Sequence, residues 1–252
     1  MKNTLFIFLY FALNSVIIFF SAFSYAATEA KYDIIYVRYD IDVDEDPQKP
    51  TYVTIPQGEK PYEIEDGADL VLLKYNPDTD SHTEQVLVDC ETCSVMDPTI
   101  SFDAKTVYYS LITEGTRASS SWIYKIKLEA PYTPIRLTFN DGFDSKLYAA
   151  NTTDEHDQEA YRGIRDMAPI PLSNGKLLFT SNRSALTALN PGTDAINRGS
   201  VQQLFTMEDH GGELNNASLS QITRLETGTI HLAQHPIQLK DGRILFSSWQ
   251  DV

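Results

Sequence analysis

Few residues in this sequence have types and spacing that could support chemistry, and the clearest are two cysteines. Cys90 and Cys93 lie three residues apart, and Ser94 directly follows the second. A Cys-x-x-Cys pair can attach haem, supply half of a zinc site or close a disulfide. Covalent haem sites place a histidine ligand immediately after the second cysteine. Because Ser94 stands there, the sequence predicts no haem.

Zinc and a disulfide are the two other interpretations of the pair. A structural zinc would need two more ligands, and His231 and His235 are four residues apart. Pro236 and the strand-like surroundings argue against the helix that this spacing requires. In an exported protein, two cysteines this close oxidise readily. We therefore predict a Cys90–Cys93 disulfide and no metal or cofactor.

The other candidate residues are better interpreted as solvent-exposed residues than as parts of a metal or catalytic site. The acidic run at 40–46 invites a calcium-loop interpretation, but Glu45 occupies the required glycine position and Thr51 the position of the bidentate glutamate. A solvated acidic loop is favoured instead. Four of the five histidines are candidates, but they are scattered, and isolated loop histidines usually face solvent or cap a turn; they are His156, His210, His231 and His235. No catalytic constellation or hydrolase motif occurs, so no catalytic residue is predicted.

Composition excludes two broad classes of protein. The 252 residues include 20 Lys and Arg against 35 Asp and Glu, a net charge of −15. Nucleic-acid binding relies on clustered basic residues, so it is not expected. The 14 Tyr and 12 Phe within a hydrophobic fraction of 42% exclude general disorder.

The first 26 residues are typical of a secretory signal. Lys2 is their only charge, the run from Leu5 to Phe23 is almost wholly apolar, and small residues precede a cleavage site after Ala26. The alternative is an uncleaved membrane anchor, because the run is long enough to span a bilayer. Either interpretation places residues 27–252 in the periplasm or another extracytoplasmic compartment. Contact with a membrane is expected only if the signal is not cleaved.

Residues 27–252 contain short apolar runs separated by turn residues, which predicts an all-β fold. One sequence motif, the repeated phrase, occurs three times, near 97–110, 168–181 and 235–248. Its proline recurs as Pro98, Pro169 and Pro236, at intervals of 71 and 67 residues, and its turn residue recurs as Ala104, Gly175 and Gly242 at the same intervals.

Each copy of the phrase predicts a β-hairpin. The proline would open the first strand, and the Asp-Gly or Asn-Gly pair would supply positive φ values in a tight turn. Ala104 replaces the glycine in the first copy, and this predicts a turn of a different type. Tyr108, Phe179 and Phe246 are the expected equivalents, buried between sheets.

A repeated hairpin unit favours a β-propeller of four-stranded antiparallel blades over a β-sandwich, which has no reason to reuse one phrase in register. Residues 27–252 would form a partial propeller of about three blades, whereas a closed ring needs about 4 to 8. We therefore expect a fragment of a longer protein, or one member of an assembly. The partners would be protein subunits or the remaining blades.

The sequence of the repeated phrase resembles the blade signature of TolB-type periplasmic propellers. Residues 166–183 and 235–249 are closer to the middle propeller domain of hydrazine synthase alpha subunit-like proteins. The resemblance implies an exported, non-catalytic scaffold for protein–protein interaction. Its alternative implication is the N-terminal part of a multihaem periplasmic redox enzyme, with haem sites beyond residue 252.

Overall fold

A computed structural model of the chain describes residues 32–39, 67–113, 120–139, 164–183, 202–209, 222–225 and 232–249. The predicted signal at 1–26, the acidic run at 40–46 and three of the histidines, His156, His210 and His231, lie outside these residues.

The described residues form β-strands joined by turns and loops, which confirms the all-β prediction. The strands are β1 (Asp33–Tyr39), β2 (Ala68–Asn76), β3 (Ser81–Val88), β4 (Cys93–Ile100), β5 (Thr106–Thr113), β6 (Ser120–Lys127), β7 (Ile135–Arg136), β8 (Asp166–Pro171), β9 (Lys176–Ser181), β10 (Gln203–Glu208), β11 (Thr223–Arg224), β12 (Leu232–Gln238) and β13 (Ile244–Trp249). Within the described ranges, no helix has the length and hydropathy to cross a membrane.

Consecutive strands pair antiparallel into four units. Sheet I is β1–β2–β3, sheet II is β4–β5–β6–β7, sheet III is β8–β9–β10–β11, and hairpin IV is β12–β13. One parallel bridge, between Ala68 of the middle strand β2 and Ser94 of β4, joins sheets I and II into a seven-stranded sheet. Sheets II and III are thus two four-stranded meanders of the same order, and hairpin IV repeats their first two strands.

These units bury their apolar side chains against one another. Sheets I and II share a core that includes Leu70, Leu72, Val107 and Tyr109. A second core joins sheet II to sheet III through Tyr108, Ile123, Leu137, Leu177, Phe179, Phe205 and Met207. A third core joins sheet III to hairpin IV through Leu178, Leu204 and Ala233, with Ile244 and Phe246 packed against them. Strand alternation sends neighbouring residues such as Leu178 and Phe179 to opposite faces, so sheet III is buried on both sides.

All three repeated phrases form hairpins with matching turn contacts. The turn residue donates its N–H to the carbonyl three residues earlier, as Gly175 does to Leu172 at 3.0 Å and Gly242 to Leu239 at 2.9 Å. Each turn residue has positive φ, 83° and 87° in the two glycines and 56° in Ala104. The preceding Asp or Asn does not, so only one residue of the pair has the predicted positive φ. This pattern fits a type I turn followed by a left-handed residue, not a type I′ turn.

The first hairpin has a longer turn than the other two. Ser101 donates to the carbonyl of Thr106, which leaves four residues between them, whereas Leu172 and Lys176 enclose only three. This confirms that the turn carrying Ala104 differs in type. The inserted residue also shifts the following strand by one position, and a shift of one reverses which face every side chain occupies.

The shift corrects one predicted equivalence. Tyr108 pairs with Thr99 as Leu178 pairs with Ile170, so Tyr108 is the structural counterpart of Leu178. The counterpart of Phe179 is therefore Tyr109. Tyr108 and Phe179 are both buried, as predicted, whereas Phe246 is only half-buried. Tyr108 lies in the same core as Phe179 because Tyr108 points from sheet II toward sheet III, whereas Phe179 points from sheet III toward sheet II.

The two neighbouring tyrosines of β5 should respond oppositely to loss of their hydroxyl groups. The buried Tyr109 hydroxyl has no hydrogen-bond partner among the described residues, while Tyr108 donates to Asp209 at 2.7 Å. An unpartnered buried hydroxyl costs about 1 to 3 kcal/mol. We expect Tyr109→Phe to leave stability unchanged or raise it by about 1 kcal/mol, and Tyr108→Phe to lower it by about 1 to 2 kcal/mol. Urea unfolding of both variants measures this, and a greater loss in Tyr109→Phe would contradict it.

Candidate functional site at the proline bulges

The repeated prolines lie inside strands, not at their first residues as predicted. Pro98, Pro169 and Pro236 fall within β4, β8 and β12, where each strand's pairing register shifts. A bulge leaves residues of one strand unpaired, so a proline there loses no ladder hydrogen bond.

The residue before each proline adopts a left-handed conformation. Its φ is 49° at Asp97, 49° at Ala168 and 48° at His235. Positive φ is uncommon outside glycine, and Asp and His adopt it more readily than Ala. The same backbone feature thus recurs at the first strand of three successive units. Bulges of this kind redirect side chains and are frequent next to functional sites.

Asp97 connects one bulge to the next. Its Oδ2 accepts a hydrogen bond from the backbone N–H of Ala168 at 3.1 Å, across 71 residues of sequence. Burial raises the pKa of the Asp97 carboxyl, while the bond from Ala168 and the charge of His235 oppose that rise. Burial also raises the pKa of Tyr39, and the negative charge of Asp97 adds to this effect.

Asp97, His235 and Tyr39 therefore form a cluster that contains a carboxyl, an imidazole and a phenol on three different units. No group of three or more His, Cys, Asp or Glu that could hold a metal ion occurs among the residues the structure describes. The arrangement can accept and donate hydrogen bonds. The sequence pointed to His235 but not to Asp97 or Tyr39, because their proximity depends on how the units stack.

Replacing Asp97 by Asn should stabilise the protein most at neutral pH. A carboxyl whose pKa is raised by folding is stabilising below its unfolded pKa, and that contribution is lost as pH rises through the folded value. Asn keeps the hydrogen-bond acceptor and tolerates positive φ, but carries no charge. We expect a higher Tm for Asp97→Asn at pH 7 and a smaller difference at pH 3.5. Thermal melts at both values test this, and a lower Tm at pH 7 would contradict it.

A second polar cluster clamps sheets II and III together. Asp209, just after β10, accepts a hydrogen bond from Tyr108 at 2.7 Å and pairs with Lys125 Nζ at 2.6 Å. Burial and the nearby Asp209 carboxylate raise the pKa of Tyr108 well above its ordinary value. This phenol therefore stays protonated, so it suits a structural contact better than proton transfer.

A third cluster is the buried ion pair of Asp166 and Arg183. Arg183 donates from Nε to Asp166 Oδ1 at 2.9 Å and from Nη2 to Oδ2 at 2.7 Å. Ser181 also donates to Oδ1 at 2.6 Å, and Arg183 reaches the carbonyl of Phe139 at 2.8 Å. Because Phe139 follows β7, the pair also ties sheet III to sheet II. The sequence alone predicts no role for these residues.

Cys90 and Cys93 are joined by a disulfide in the structure, with an S–S distance of 1.95 Å. The loop that carries them lies against the start of β2. Gly67 donates its N–H to the Cys93 carbonyl at 2.8 Å, and Asp69 accepts from the N–H of Cys90 at 2.9 Å. The pair thus lies at the junction of sheets I and II.

We expect protein recovered from an oxidising compartment to carry this disulfide. Without reduction, mass spectrometry should find the peptide containing both cysteines two hydrogens lighter than the dithiol form, because each thiol loses one hydrogen on pairing. Iodoacetamide should label it only after reduction. A haem absorption band, or labelling of untreated protein at both thiols, would contradict the prediction.

Comparisons with known proteins give one fold similarity. No known family description and no curated protein matches the sequence. Among solved structures, the chain is similar to hydrazine synthase from Kuenenia stuttgartiensis, with a TM-score of 0.51 and 12% identity over 87% of this chain. The match covers 28% of that chain's length. It supports the expected similarity to the hydrazine synthase fold, and at this identity it concerns the fold alone.

Proposed function

We propose that the chain is an exported, non-catalytic β-propeller segment that serves as a scaffold for protein–protein interaction. One observation carries the proposal: short antiparallel sheets stack face to face in chain order, sheet II on sheet III and sheet III on hairpin IV. Propellers consist of four-stranded antiparallel sheets packed in this way around an axis. Such a stack is rigid and presents its turns and loops at its surface, where partners bind.

The turn of the first hairpin supports an interaction role. Phe102 in this turn is 73% exposed, and Ile100 beside it is 44% exposed. By their position in the turn, Ser173 and Lys240 are the equivalents of Phe102 in the other hairpins. The hairpin itself therefore does not require an aromatic residue there. An exposed aromatic residue on a rigid support is typical of a protein interface.

Site-specific crosslinking tests this function. We would place the photoreactive residue benzoylphenylalanine at Phe102 in the full chain, and at Ser173 in a control with the same turn position. Irradiation in the extracytoplasmic compartment should crosslink the Phe102 variant to a defined second protein, and the Ser173 variant much less. Equal crosslinking from both positions, or none from Phe102, would argue against a scaffold that binds through this turn.

A further inference from the structure

The face of hairpin IV that points away from sheet III, its outward face, has the same apolar residues as the outward face of sheet III, which points away from sheet II. Ile237 pairs with Leu245 as Ile170 pairs with Leu178, and Leu239 occupies the turn position of Leu172. All three positions carry the same residue types in both units, Ile, Leu and Leu. Identical apolar residues at equivalent positions indicate a face with the same packing requirement.

The two faces differ in what covers them. Leu178 is fully buried because hairpin IV packs on it, with Ile244 and Phe246 in the shared core. Leu245 is 56% exposed and Ile237 is 50% exposed. Exposed apolar patches of this kind mark interaction sites.

The contacts that hairpin IV makes with sheet III indicate what the outward face of hairpin IV should bind. Hairpin IV presents Ile244 and Phe246 to sheet III, and sheet III presents Leu177 and Phe179 to sheet II in the same way. The contact also has a polar component, because the Gln238 side chain accepts a hydrogen bond from the Ser173 N–H at 2.8 Å. The position equivalent to Ser173 on hairpin IV is Lys240.

We infer that the outward face of hairpin IV binds a β-hairpin of the same repeated type, carried by a partner polypeptide. That hairpin presents an aliphatic residue and a phenylalanine two positions apart to Leu245 and Ile237. Its first strand ends in an amide or carboxyl side chain that accepts from the Lys240 N–H. This inference rests on the proposed scaffold function and names the chemistry of one of its partners.

A closed hairpin peptide provides the probe. It comprises residues 232–249 with an added cysteine at each end, oxidised to hold the strands together, and a fluorescent label. We expect saturable binding to the full chain by fluorescence anisotropy, weakened at least tenfold by Leu245→Asp or Ile237→Asp in the chain. Phe246→Ala in the peptide should weaken binding similarly. Because both protein positions are exposed, these variants should keep the wild-type circular dichroism spectrum.

The matched control is Ile34→Asp, which removes a similarly exposed apolar residue from β1 of sheet I and should leave peptide binding unchanged. Absence of saturable binding, or binding that survives both substitutions on hairpin IV, overturns the inference. A homodimer in sedimentation that Leu245→Asp dissociates also overturns it, because the occupant is then a second copy. None of these results bears on crosslinking at Phe102, so the scaffold function can fail or stand separately.

Discussion

Asp166→Ala should lower the free energy of unfolding by about 3 to 5 kcal/mol. The side chains of Asp166 and Arg183 are 0% and 4% exposed, and two hydrogen bonds join them. Removing the carboxylate deprives the buried guanidinium of the counter-charge that Asp166 supplies. The cost arises from the poorer compensation of a buried charge more than from the lost attraction. Urea unfolding followed by tryptophan fluorescence measures the free-energy change.

A double variant separates the ion pair from the fold. At the position of Asp166, the equivalent hairpins carry Val95 and Ala233, so the hairpin does not require a charge there. Asp166→Val with Arg183→Met should therefore recover more than half of the stability lost in Asp166→Ala. Recovery should be incomplete, because the Phe139 carbonyl loses its donor. A double variant less stable than Asp166→Ala would show that the pair stabilises the fold beyond neutralising its own charges.

Phe179→Ala should cost about 3 to 5 kcal/mol, the usual penalty for truncating a buried phenylalanine. Phe179 is fully buried between sheets II and III and stacks on Phe205, with ring centroids 6.1 Å apart. Sheets on both sides hold its surroundings in place, so the cavity cannot close easily. Chemical unfolding should show a lower midpoint for this variant.

Phe246→Ala provides a control with the same residue type at the same repeat position. Phe246 is half-buried, because hairpin IV has a packed unit on only one side among the described residues. The cost there should be about 1 to 2 kcal/mol, because less apolar surface returns to water. Equal losses at the two positions would contradict the difference in packing.

The sequence was sufficient to predict the strands and the three hairpins, but not the positions of the prolines within the strands or the type of the glycine turns. Alternating apolar residues and turn residues act over a few positions, so strands and the three hairpins could be recognised from the repeated phrase. The positive φ at Gly175 and Gly242 follows from the residue type and the turn. The substitution at Ala104 correctly signalled a different turn. It did not reveal the added residue, because the phrase aligns equally well without it.

Features that join different units were beyond the reach of the sequence. The left-handed residue before each proline depends on the bulge pairing with the neighbouring strand, and the proline alone suggested the start of a strand. The contacts of Asp97 with Ala168, and of Tyr108 with Asp209, span 71 and 101 residues. Their formation depends on the stacking order and on the register of β5.

The burial of equivalent residues also depends on how the units stack. Leu178 and Leu245 have the same type and the same repeat position, yet one is fully buried and the other is 56% exposed. Residue type determines that each prefers to leave water, because apolar transfer is favourable wherever a partner surface exists. Whether a partner surface exists is a property of the neighbouring unit. The sequence therefore determined the repeated hairpin and its apolar faces, and only the tertiary structure decided which of those faces are covered.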